Sequence, residues 1–272
     1  MTGVYTVARS YRAELIKLRR PSTALAMAVL GFLTVLSTVL VMALADEKPT
    51  PPDPGAGPGF DLSLTQLASS QGLILGFRGG TTFIGLLIFV VFAISMTTEY
   101  GQGTLRTLFL KEPRRLGWLA GRLGVMLSAV AVSLVAALGL SVAAATVMAA
   151  VRDVDTSAWW TSAALGEVAG AYANALLAAV FFALVGTMLG ILLRSTSAAL
   201  LIGIAWMFPI EHIVQESWSG ATRVLPGLVF DAVGRGGLPD ASYGPALLTA
   251  VAYALVAAAI GAVSLRRRDV TA

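Results

Sequence analysis

The sequence has no cysteine and a single histidine, and only 12% of its 272 residues carry charge. Without cysteine there is no disulfide framework, no thiolate metal site and no thiol nucleophile. A lone histidine, His212, argues against a histidine-rich metal site. Soluble domains are about 25% charged, so this chain could not give itself a solvated surface of ordinary composition. Disorder is excluded on the same ground, because disordered chains are rich in charge and poor in apolar residues. No Gly-x-x-x-x-Gly-Lys-Ser/Thr loop is present to cradle nucleotide phosphates, and Gly76-Phe-Arg-Gly-Gly80 lacks the lysine. No His-Glu-x-x-His motif, serine–histidine pairing or paired intramembrane aspartates occur either, so the chain is not expected to be an enzyme.

What the sequence does have is apolar length. It is 57% hydrophobic, with a mean hydropathy of +0.80. Six apolar runs stand out, at residues 22–45, 79–96, 119–151, 168–193, 198–214 and 245–265. Crossing a hydrocarbon core about 30 Å thick takes about 17–25 residues at about 1.5 Å each, and all six fall within or above that range, the fifth barely. The third is too long for one upright span, so it tilts or continues beyond the membrane. Backbone groups in lipid need internal partners and no period-two pattern is present, so the runs are helices. The predicted fold is an all-α polytopic membrane protein of six transmembrane helices in one transmembrane domain covering residues 1–272. Before Asp46, Ala43-Leu44-Ala45 imitates a signal-peptidase site, but the apolar run of 24 residues exceeds a secretory core of about 7–15 and reads as a span.

Sorting charge by side gives an orientation. With the amino terminus inside, 14 basic residues fall inside and 5 outside, against 4 and 11 acidic residues. The faces carry +10 and −6, a positive-inside bias that puts both termini in the cytoplasm. The basic pI of about 9.7 is therefore a topology signal, and no nucleic-acid partner is expected.

The connections differ in character. Residues 49–59, rich in proline and glycine, read as a flexible tether. Phe60, Leu62, Leu64 and Leu67 after it are expected in the outer headgroup region. Trp159-Trp160 read as an interfacial anchor, and residues 194–197 as a tight helical hairpin. Residues 215–244 mix apolar pieces with Pro226, Gly227, Gly236 and Gly237, which suits either short helices dipping into the outer leaflet or a surface loop.

Two cytoplasmic pieces are amphipathic. In residues 1–20, Val4, Val7, Tyr11, Leu15 and Leu18 recur at helical spacing. Arg9, Arg12, Lys17, Arg19 and Arg20 supply cationic tips, giving an interfacial helix that ends at Pro21. In residues 97–118, Gly101 and Gly103 permit a sharp change of direction. Thr104 can cap a short helix whose apolar face is Leu105, Leu108 and Phe109, with Arg106 and Lys111 polar, Pro113 ending it and Arg114-Arg115 beyond. Such a helix suits docking in another protein's groove, and an ordinary basic loop is the alternative.

The order of these parts resembles the permease subunits of ABC-2 type transporters, in particular bacterial exporters of the bacitracin-resistance and lantibiotic-immunity kind. The most specific signal is Thr98-Glu99-Tyr100-Gly101-Gln102-Gly103-Thr104-Leu105-Arg106 at the end of the second span, with Pro113-Arg114-Arg115 following. The resemblance implies a coupling helix at residues 97–118 that meets a separate cytoplasmic ABC ATPase, with Glu99, Gly101, Gly103, Thr104, Leu105, Arg106, Leu108 and Phe109 at the contact. It implies no cofactor in this chain, ATP and magnesium being bound by the ATPase partner. It further implies a dimer, with a second copy or a similar permease completing the pathway, and outer re-entrant helices after the fifth span.

Ionisable and polar residues within spans are the candidate pathway groups: Asn174, Glu211 and His212. Each also has a structural reading, Asn174 as an interhelical hydrogen bond and Glu211 and His212 as the water-facing end of a short helix. Gly186-x-x-x-Gly190 marks close helix packing. The function expected is export of an amphipathic or hydrophobic substrate, such as a drug, an antibiotic peptide or a lipid, across the plasma membrane. An ion-coupled secondary transporter or a non-transporting scaffold subunit are the alternatives.

Overall fold

A computed structural model describes residues 3–45, 63–111 and 114–267, with side chains described from Thr6 onward and that of Lys111 excepted. The proline-rich tether with Lys48, Phe60 and Leu62 lies outside the described residues, as do Glu112, Pro113, Arg268, Asp269 and the side chain of Val4. No strand forms among the described residues. Helices α1 (Gly3–Lys17) and α2 (Pro21–Leu44) come first, then α3 (Leu64–Leu67) and α4 (Gly72–Gly79). Next are α5 (Thr81–Gly101), α6 (Thr104–Lys111), α7 (Arg115–Val151) and α8 (Ser162–Leu193). The chain closes with α9 (Thr196–Ala205), a π-helical turn at Trp206–Ile210, α10 (Glu211–Ser217), α11 (Ala221–Val224), α12 (Pro226–Arg235) and α13 (Tyr243–Arg267).

Among the described residues, six segments are long and apolar enough to cross a membrane: Pro21–Leu44, Gly72–Gly101, Arg115–Val151, Ser162–Leu193, Thr196–Ser217 and Tyr243–Arg267. The protein is an all-α, multi-pass membrane protein. The second segment starts seven residues before the predicted run, because α4 stacks on α5 with only a slight break at Gly80. Glycines and Arg78 make residues 72–79 look like loop, yet the glycines are where α4 meets its neighbour. A Cβ on Gly76 would lie 2.5 Å from the Thr38 Cα of α2, and the Ser37 hydroxyl donates to the Gly76 carbonyl at 2.9 Å. Leu67, Ile74 and Phe77 are fully buried, so this stretch belongs to the core and Leu67 faces protein.

The bundle centres on α5 against α8. The expected close packing of Gly186 and Gly190 is there: added Cβ atoms would meet the Phe89 carbonyl oxygen at 2.5 Å and the Met96 Cβ at 2.7 Å. On α2 and α7, the Thr38 and Ser141 hydroxyls pair at 2.7 Å in the buried interface. On the first turns of the 37-residue α7, α1 lies across it. There a Cβ on Gly121 would meet the Ser10 Cβ at 2.6 Å, and one on Gly117 the Thr6 Cγ2 at 2.9 Å. The protein-facing side of α1 is thus Thr6, Ser10 and Glu14, polar residues four apart, while Leu15 and Ile16 point outward at 42% and 72% exposure.

Trp159 and Trp160 do not act as a pair. Trp159 is turned into the core and its indole N–H donates to the Leu67 carbonyl at 2.8 Å, whereas Trp160 is 68% exposed. Residues 215–244 are largely helical, and α12 is enclosed between α8 and α13 with residues 227–234 buried. Protein therefore shields its backbone ends, the condition that short helices at membrane depth must meet.

Candidate functional site

At the α1 end of the bundle the second span finishes, turns and enters α6. The turn needs Gly103, whose φ of +65° falls in the left-handed region, while a Cβ on Gly101 would meet nothing within 4 Å. Thr104 opens α6, and its hydroxyl lies 3.1 Å from the Glu99 carbonyl oxygen and donates to the Glu99 carboxylate Oε2. Leu105 is fully buried, and Leu108 and Phe109 pack on the same small core of Met96, Trp118, Leu119, Ile191 and Leu265. The Phe109 ring sits edge-on to Trp118 at 5.5 Å. The apolar face expected to dock a partner is therefore occupied by the chain itself. Gly101, Gly103, Thr104, Arg106, Thr107 and Leu110 remain outward, Leu110 at 81% exposure.

Behind α6 lies a cluster of charges drawn from three helices. Arg122 on α7 donates through one guanidinium nitrogen to Glu14 Oε2 and to Glu99 Oε1, both at 2.8 Å. Its other terminal nitrogen reaches the Ser95 carbonyl at 3.0 Å and hydroxyl at 2.6 Å. Lys17 Nζ closes the ring, at 2.9 Å from Glu14 Oε1 and 2.8 Å from Glu99 Oε1. The side chains of Arg122, Glu14 and Glu99 are only 7%, 9% and 11% exposed, while Lys17, at 34%, forms the wet edge. Two cations face two carboxylates, so the cluster is neutral as a whole. That matters because an unbalanced buried ion costs several kcal/mol in order-of-magnitude terms, about as much as a folded domain can spare. Glu99 is its hub, touching α1, α6 and α7 from the end of α5.

The candidate pathway residues are not brought together. Asn174 on α8 accepts from the Tyr243 hydroxyl at 2.8 Å, the interhelical hydrogen bond expected of it. Glu211 is fully buried beneath the start of α12 and accepts from the Leu228 N–H at 2.9 Å, so its carboxylate caps that helix from outside. Gly227 is needed there, since a Cβ would come within 2.7 Å of Glu211 Oε2. His212 turns away and its Nδ1 lies 2.6 Å from the Phe208 carbonyl, one turn back in the π-helical segment. Because a carbonyl only accepts, that nitrogen carries the proton.

A family described as a protein of unknown function, DUF2705, matches residues 71–271. The chain belongs to the DUF2705 family. The matched region holds α4 to α13 and hence Glu99, Thr104, Arg122 and Glu211, while Glu14 and Lys17 precede it. No curated protein matches the chain.

A second polar cluster in this DUF2705 member was not foreseen. Asp231 on α12 accepts from the Thr81 and Thr82 hydroxyls at 3.0 and 2.7 Å, and its other oxygen pairs with Arg235 Nε at 2.7 Å. Nearby, Arg78 pairs with Glu167 at 2.8 Å, tying α4 to α8. These contacts fasten the end of the bundle opposite α6. Asp231 and Arg235 sit four apart in sequence, a helical ion-pair spacing that was available as a signal. Glu14 and Arg122 are 108 residues apart, and no spacing rule links them.

Proposed function

We propose that the chain is the membrane-spanning permease subunit of an ATP-driven exporter, and that α6 is the element on which a separate ABC ATPase acts. The observation that carries this reading is the attachment of α6 to the spans through Glu99. The carboxylate holds Thr104 on one side and Arg122 and Lys17 on the other. A push on α6 is thereby delivered through direct side-chain contacts to the ends of α5 and α7 and to α1. With the apolar face of α6 packed inward, the ATPase meets Arg106, Thr107 and Leu110. The 14-to-5 sorting of basic residues supports placing this end, and both termini, on the cytoplasmic side of a bacterial cell membrane.

In this reading ATP and magnesium belong to the ATPase, and two copies of the chain together wall a pathway. Spans with few charges favour an amphipathic or hydrophobic substrate, such as a drug, an antibiotic peptide or a lipid. The test is recovery of tagged chain from its native cells. An ABC ATPase is expected to co-purify, and Arg106→Glu with Leu110→Arg is expected to lose it while the chain elutes and melts as before. A chain that never retains an ATPase, in any nucleotide state, rejects the proposal.

A further inference from the structure

A cavity of about 460 Å³ opens beside the charge cluster, between α1, α2, α5 and α7. That volume is within the roughly 300–1,000 Å³ range of small-molecule sites. Its composition is divided. One end is lined by Glu14, Lys17, Arg20, Glu99 and Arg122, and the walls beyond by apolar side chains such as Leu30, Leu87, Ile88, Phe92 and Val130. Along α7 the lining runs from Arg122 to Ser133, about 16 Å at about 1.5 Å per residue. That is half of a hydrocarbon core about 30 Å thick, the depth of a single leaflet. The rim includes Met27 and Ile94, apolar and 40% and 38% exposed, so the cavity faces sideways, where lipid would lie.

We propose that this cavity binds an anionic phospholipid from the leaflet on the α6 side, with the phosphate at the charged end and one acyl chain along the apolar walls. Charge decides the sign of the head group. The lining holds three cations and two carboxylates, and Lys17 and Arg122 are neutralised by Glu14 and Glu99. Arg20 remains, exposed at the mouth and in none of the ion pairs among the described residues. A zwitterionic head group brings no net charge to offset a single uncompensated cation, whereas an anionic one does. Lys17 is the half-open member of the cluster, so a phosphate beside it competes with Glu14 and Glu99 for the same ammonium. Lipid binding would then bear on the hub that holds α6. The inference needs no ATPase and is testable on this chain alone.

The experiment uses the purified full-length chain in phosphatidylcholine vesicles containing a small fraction of phosphatidylglycerol with a photoreactive acyl chain. Cross-links are expected on α5 and α7 between Leu87 and Phe92 and between Met126 and Ser133. Unlabelled phosphatidylglycerol should compete, and neither phosphatidylcholine nor glycerol 3-phosphate should. Arg20→Glu, at an exposed position, should cut labelling by roughly fivefold or more, the effect of a basic residue facing anionic lipid. Ala129→Phe, filling the cavity from α7, should also abolish it, with elution and circular dichroism confirming the fold. Equal labelling by neutral lipid, competition by glycerol 3-phosphate, or labelling indifferent to Arg20→Glu overturns the proposal. So does efficient cross-linking of Met27→Cys between two chains without lipid labelling, which would assign the cavity to a second copy.

Discussion

Neutralising both members of the Arg122–Glu99 pair should cost less than the two single neutralisations added together. Arg122→Gln leaves Glu14 and Glu99 facing Lys17 alone, and Glu99→Gln leaves Lys17 and Arg122 facing Glu14 alone. Each single change strands one charge in a site where three of the four side chains are 11% exposed or less. Breaking a buried pair from one side costs about 3–5 kcal/mol. At about 2–4 °C per kcal/mol for a large domain, the melting temperature should fall by about 6–20 °C. The double variant keeps the neutral Glu14–Lys17 pair, so its loss should be smaller than the sum of the singles by about 2 kcal/mol or more, a coupling typical of contacting charges. The assay is tryptophan-fluorescence melting of the four purified chains in detergent. Strictly additive losses would refute the argument, because they would mean that the charges do not sense one another.

Other predictions rest on separate contacts. Gly103→Ala must place a side chain at φ +65° and should cost about 1–2 kcal/mol, while Gly101→Ala, with open space around it, should leave the melting temperature unchanged. Glu211→Gln retains an acceptor for the Leu228 N–H and should be mild, whereas Glu211→Ala uncaps α12 and should lose about 1–3 kcal/mol in the same assay. Trp159→Phe strands the Leu67 carbonyl and should destabilise by about 1–3 kcal/mol, while Trp160→Phe should be silent. The absence of cysteine gives a clean background for topology: a membrane-impermeant thiol reagent on intact cells should label Ser157→Cys and spare Leu110→Cys.

Much of the fold was readable because lipid imposes a simple rule on the chain. Every long apolar run became a span, within a few residues at most ends. The largest boundary miss, at Gly72, came where glycine signals both a loop and a close helix contact, and only the neighbour Thr38 decides between them. The same ambiguity hid the docking of α1, where Gly117 and Gly121 receive Thr6 and Ser10 rather than breaking α7. Of the candidate site, Glu99, Gly103 and Thr104 were legible from the local motif. Glu14 and Arg122 entered only as charges in a census and Lys17 as a cationic tip of the first helix, whereas it pairs with Glu14 and Glu99, because their meeting depends on how α1 crosses α7. Glu211 looked like a pathway residue for the sound reason that a buried acid in a span is costly. Its partner is a helix start that no sequence spacing reveals.

The central claim is that α6 meets an ATPase and transmits its movement. A chain with its single cysteine at Leu110, carrying a short thiol-attached photoreactive group, should cross-link to a co-expressed ABC ATPase, and should do so differently with and without ATP. A cysteine at Val147, 63% exposed on the same helix as Arg122 but at its far end, should form none. Cross-linking from Val147 and not from Leu110, or from neither in every nucleotide state, would contradict the account.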